Sequence, residues 1–245
     1  MLISAVFIPG APALVPEVSG PGVVELDPVR TAMQVAIAEQ ALLSGSWWGV
    51  GVADSTADSQ SGEVLGVGSF GGFGVDRHVA LQPGPNAAPG ESHLPTSMLI
   101  AGWARELAPE AHPVVISPVV VAAGAGPATC RAVGADLAAR LAAGPEAVGL
   151  LVVGDGAINL SDGAPGGGCA PDAVALQADI DAALASGDPD AVRELDWDRC
   201  ARWGARGRGV WEVAAACAPS SATATVGYAG APFGVGYNVV TWRFG

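Results

Sequence analysis

Residues 147–156 read AVGLLVVGDG. Leu150, Leu151, Val152 and Val153 form an apolar run with no polar alternation, and Gly154-Asp155-Gly156 stops it. A short continuous run bounded by turn residues predicts a strand buried on both faces, the kind found in parallel sheets covered by helices. The flanks agree. GPATCRAVGADLAARLAAG (126–144) predicts a helix ended by Gly144, and helices are predicted again over 172–186, 188–195 and 197–217.

Working outward, LISAVF (2–7), WWGVGVA (47–53), EVLGVGS (63–69) and HPVVISPVVV (112–121) predict strands. DPVRTAMQVAIAEQALL (27–43) predicts a helix with Asp27 as N-cap and Pro28 at the first helical position. LPTSMLIAGWARELA (94–108) has the spacing of an amphipathic helix. ATATVGYA and GVGYNVVTWRF close the chain as strands, the last expected to lie antiparallel. Alternating strands and helices predict a single α/β domain, with a central mostly parallel or mixed sheet and helices on both faces. There is no internal repeat, and the longest linker is the Gly- and Pro-rich stretch 83–92.

Composition narrows the function classes. The 245 residues carry a net charge of −13, are 50% hydrophobic and 14% charged, and every basic residue is Arg. That balance excludes disorder and argues against nucleic acid or anionic membranes as partners. The apolar N-terminus, MLISAVFIPGAP, has no basic residue ahead of it and is cut by proline, so it reads as a core strand instead of a signal peptide. No apolar stretch is long enough to span a bilayer, and the expected location is cytoplasmic. Cys130, Cys169, Cys200 and Cys217 lack paired spacing and read as free thiols, with Cys169 the most exposed.

Most short motifs fall to simple objections. GVGSFG (66–71) matches the glycine pattern of dinucleotide sites, but no helical sequence follows it, so no cofactor site is expected. His78, His93 and His112 show no metal-ligand spacing, and no G-x-S-x-G elbow exists. The richest polar stretch is LLVVGDGAINLSDGAPGG (150–167). Asp155 there leaves a strand at its carboxyl end, where open α/β sheets bind ligands, with Asn159 following in the same loop. The same residues also suit an Asp-Gly turn whose carboxylate caps nearby amides. The sequence supports both readings.

Several segments in order carry a family resemblance: IPGAPALVPEV, LLVVGDGAINLSDGAPGG, GDPDAVRELD, GRGVWEV and APFGVGYNVVTW. Together the chain resembles the class III extradiol ring-cleavage dioxygenases, the LigB-like catalytic-subunit family, and within it a small branch of high-GC bacteria. The likeness is weak over 54–92. The resemblance implies an oxidoreductase of aromatic compound metabolism, with Fe(II) held by two histidines and one carboxylate and a further histidine as acid/base. It also implies a small aromatic ligand, and a homodimer or a small helical partner protein. The strand carrying Trp47 and Trp48 and the C-terminal strand are the expected contact surfaces.

The family's ligands are missing from this chain. Gly10 stands where the first metal histidine belongs, VGVADSTADS offers no second one, and Ile158 occupies the acid/base histidine position. Only Glu212 falls at the place of the metal carboxylate. Glu17, Asp54, Asp58 and Asp155 are the other oxygen donors from which a site with Glu212 would have to be rebuilt. The expectation is a catalytically degenerate binding or accessory protein with no cofactor. The alternatives are an active metal-dependent dioxygenase with relocated ligands, and an enzyme using Asp155 and Glu212 as acid and base.

Overall fold

The computed structural model describes residues 1–20, 22–54, 66–84, 94–165 and 167–245. The predicted strand residues 63–65, most of the 83–92 linker, Asp58 and His93 lie outside them.

The chain opens with β1 (Leu2–Ile8), passes through a short turn α1 (Pro16–Ser19), and enters α2 (Asp27–Leu43). It continues through β2 (Ser46–Val52), a small hairpin of β3 (Val67–Ser69) and β4 (His78–Ala80), α3 (Thr96–Arg105), β5 (Val115–Val121) and α4 (Pro127–Ala143). The second half runs β6 (Val148–Val153), α5 (Pro171–Ser186), α6 (Pro189–Arg193), α7 (Trp197–Arg202), α8 (Arg208–Cys217), β7 (Thr223–Gly230) and β8 (Tyr237–Arg243).

Six strands form one mixed sheet in the order β5-β2-β6-β1-β8-β7. The first four are parallel, and β8 pairs antiparallel with both β1 and β7. β6 sits at the centre, as its apolar run requires, with Leu150 to Val153 sealed from solvent. One core cluster, holding α2 and α3, covers one face. A second, holding α4, α5 and α8, covers the other. The predicted α/β fold class is the one observed.

Local chemistry explains the departures from expectation. Asp27 is not a cap: a single 3-10 turn over Val24–Leu26 runs straight into α2, and Asp27 instead pairs with Arg30 at 3.3 Å. The helix predicted over 197–217 is two helices, because Gly204 takes a left-handed φ of 62°. GVGSFG forms β3 and a 3-10 turn, with no helix after it. β2 and β8 are interior strands: Trp47 is buried, Trp48 lies under Arg140, and β8 is almost wholly enclosed. Neither provides an open contact surface, and β7 is the outer strand at that end of the sheet.

Candidate functional site

In a parallel sheet the strand ends carry the loops, and the carboxyl ends of β1 and β6 lie side by side. Gly154 N–H donates to Ile8 at 3.0 Å, and the chain then turns so that Asp155 reaches across to the loop after β1. Gly10 N–H donates to Asp155 Oδ1 at 2.8 Å. The loop expected to lack its histidine is thus closed on Asp155.

That loop is braced from both sides. Arg30 donates to the carbonyls of Leu14 and Ala13, at 2.9 and 3.2 Å, and to the Ser19 hydroxyl at 2.7 Å. Arg77 spans Glu17 of α1, at 3.6 Å, and Glu106 beyond α3. Gly10 does not need glycine for its backbone conformation. A Cβ at this position would stand 3.4 Å from Val153 Cγ1 and 3.6 Å from Asp155 Oδ2, ordinary contact distances.

The loop after β6 is equally constrained. Gly156 and Ala157 exchange backbone bonds with Gly236 at the start of β8, both at 2.8 Å. Gln177 of α5 accepts from Ala157 N–H at 2.8 Å and donates to Asp181 at 2.7 Å and Asn238 at 3.2 Å. This buried amide network fills the space beside Gly156 and Gly236, where a Cβ would collide with Gln177. The structure therefore adds Gln177, Asp181 and Asn238 to the residues that shape the site. The i,i+4 spacing of Gln177 and Asp181 was the only sequence signal for them.

Asp155 is half-buried, and burial pushes its carboxyl up to about 6 from an ordinary 3.8, against the opposing pull of the Gly10 N–H and Arg206. Tyr237, buried nearby, has its phenol pushed upward by burial, with the charge of Asp155 adding to it. Among the described residues no donor reaches Asp155 Oδ2. Asn159 adopts a left-handed φ of 63° and uses its amide to hold the carbonyls of Gly167 and Gly168. Ile158 packs on Gly204, and its N–H donates to Trp203 at 2.8 Å. Both residues brace the loop.

Glu212 lies on α8 with its carboxylate wholly buried. Its oxygens face Arg131 of α4 at 2.6 Å and Arg208 of its own helix at 2.7 Å. The other oxygen donors are dispersed: Asp54 caps α3 through Thr96 N–H, at 3.0 and 3.1 Å, and Glu17 holds Arg77. His78 pairs with Asp76 at 3.4 Å, and His112 is exposed. Among the described residues no three His, Cys, Asp or Glu side chains converge in a way that could hold a metal ion. Cys130, Cys200 and Cys217 are buried and Cys169 is exposed, all free.

A hollow of about 360 Å³ lies between α5, α6 and α7 and is lined by Leu176, Leu195, Asp179 and Arg199. No helix among the described residues is long and apolar enough to cross a membrane.

No protein-family model matches the chain, and no curated protein matches it. Among solved structures it is similar to an uncharacterised protein, JW3007, from Escherichia coli K12. That likeness has a TM-score of 0.54 at 14% identity and covers 99% of this chain and 100% of the other. It supports the α/β fold alone.

Proposed function

We propose that this chain is a LigB-like protein that has lost the ring-cleaving iron site and binds a small aromatic ligand over Gly10 and Asp155 without oxidising it. The observation that carries this reading is the Gly10–Asp155 bond. It closes the loop on itself where the resemblance implies an imidazole, and it leaves one carboxylate oxygen facing the space a side chain at position 10 would occupy. A phenolic hydroxyl would donate to Oδ2, and Arg206 would favour an acidic substituent on the ring.

The residues present do not fit Fe(II). The site offers one carboxylate and backbone amides where two imidazoles are needed, and Glu212 is already neutralised by two guanidinium groups. Both Glu212 oxygens are already engaged, by Arg131 and Arg208, so neither is free to take a proton from a substrate.

The test is anaerobic Fe(II) titration followed by metal analysis after desalting, with a parallel thermal-shift screen of catechol and protocatechuate. We expect no stoichiometric iron, and a ligand-dependent rise in melting temperature that Asp155→Ala removes. Retained stoichiometric iron together with oxygen consumption on a catechol would overturn this reading in favour of an active dioxygenase with relocated ligands.

A further inference from the structure

Two loops are tied together beside Asp155. Gly156 N–H donates to the Gly236 carbonyl, and Gly236 N–H to the Ala157 carbonyl, both at 2.8 Å. Asp155 directly precedes Gly156 and Tyr237 directly follows Gly236, so the two residues stand side by side where β6 ends and β8 begins. Gln177 holds this junction from the α5 side, accepting from Ala157 N–H and donating to Asn238. A junction held in this way is set before any ligand arrives.

Strand alternation decides where the two side chains point. Ile8, Leu151, Val153 and Val239 belong to the core cluster that holds α2 and α3, whereas Phe7, Leu150, Val152 and Val240 belong to the other. Tyr237 is two residues from Val239 and lies in the first cluster, 3% exposed. Asp155 is two residues beyond Val153 and turns to the same side: its Oδ2 stands 3.6 Å from the Cβ position of Gly10. Gly10 puts no side chain over them. A notch results, walled by a carboxylate and a phenol, with Phe233 and Val235 of the loop before β8 partly exposed in the same cluster.

The two groups are complementary. Among the described residues neither Asp155 Oδ2 nor the Tyr237 hydroxyl has a hydrogen-bond partner, and they do not bond each other. Burial, with the charge of Asp155 adding to it, keeps the phenol protonated and therefore a donor. An acceptor and a donor thus stand adjacent and unused. Resting on the reading that Asp155 accepts from a phenolic hydroxyl, we infer that Tyr237 selects the ligand of this site. It donates to an uncharged acceptor on the neighbouring ring carbon, and the class of ligand is an ortho-alkoxyphenol. Adjacency of the two protein groups sets the ortho relation. An ether oxygen accepts from Tyr237 without bringing a second proton that needs a partner, and it carries no charge for Asp155 to repel.

Isothermal titration calorimetry on the full chain at pH 8, with 2-methoxyphenol and its isomer 4-methoxyphenol, tests this. Both offer Asp155 the same hydroxyl, but only the first places its ether oxygen within reach of Tyr237. Wild type is expected to bind the ortho isomer about three- to tenfold more tightly, the worth of one neutral hydrogen bond. Tyr237→Phe should abolish that preference and leave the para isomer bound within about twofold of wild type, which also reports an intact site. Asp155→Ala should weaken both isomers. No preference in wild type would overturn the inference, as would an equal loss for both isomers in Tyr237→Phe. Phenol binding through Asp155 would survive either result. If neither isomer binds wild type, the underlying reading falls and this inference with it.

Discussion

The Arg208 guanidinium lies 2.7 Å from the Glu212 carboxylate one helical turn away, and solvent reaches almost none of either group. Arg208 also donates to the carbonyls of Leu195 and Arg193, both at 3.1 Å, and stacks over the Trp197 ring at 4.5 Å. One guanidinium thus ties α6, α7 and α8 together. Removing only one charge strands the other in the interior. Glu212→Leu is therefore expected to cost about 3–5 kcal/mol by urea denaturation. The double variant Arg208→Met with Glu212→Leu should cost clearly less than the sum of the two single changes. Additive costs would show that the pair is not a coupled unit.

Asp155 gives the protein a pH dependence of defined sign. Its folded value of about 6 lies above its ordinary 3.8. The fold therefore favours the protonated acid, and that contribution is complete below about pH 4 and lost as pH rises through about 6. Asp155→Asn is uncharged at every pH. Relative to wild type it is expected to gain on the order of 1–3 kcal/mol at pH 8 and almost nothing at pH 4. Denaturant melts at both values measure it. A gain that does not change between them would mean the carboxylate is not held out of water.

Gly10 is predicted to accept a side chain. Its Cβ position meets only ordinary contacts, so Gly10→His should fold with a loss of about 1 kcal/mol or less. Gly234 is the control. It has a left-handed φ of 71°, and a Cβ there would press on Ala164 and Ser161, so Gly234→Ala should cost about 1–3 kcal/mol. Equal losses in thermal melts would refute the distinction. With a single imidazole restored, Gly10→His is still expected to retain no iron after desalting.

Asp54 is exposed yet holds the first amide of α3 with both of its oxygens. Asp54→Ala is expected to cost about 1 kcal/mol, the usual worth of a helix cap, while Asp54→Asn should cost only a few tenths. If the two substitutions cost the same in denaturant titration, the side chain is not acting as a cap.

Much of the fold was legible because its signals are local. The apolar run in 147–156 and the helical patterns over 27–43 and 126–144 marked elements that the structure places at Val148–Val153, Asp27–Leu43 and Pro127–Ala143. Boundaries failed where a neighbour decided them. Gly207 lets α8 begin against the Asp155 carbonyl, a contact invisible in a helical pattern spanning 197–217. The site was legible only as a set of separate residues. Those at 10, 155, 158 and 212 could be named, but the sequence could not say that Asp155 would satisfy Gly10 or that Glu212 would turn to two arginines. Those choices depend on groups up to 145 residues apart. The amide network of Gln177, Asp181 and Asn238 was missed for the same reason.

The strand order sets a timetable for synthesis. β1 is made long before its sheet neighbours, β6 and β8, which lie at 148–153 and 237–243. While the ribosome builds the stretch between them, LISAVFI has no partner on either side. The nascent protein therefore carries this almost wholly apolar segment without a sheet neighbour until β6 has emerged.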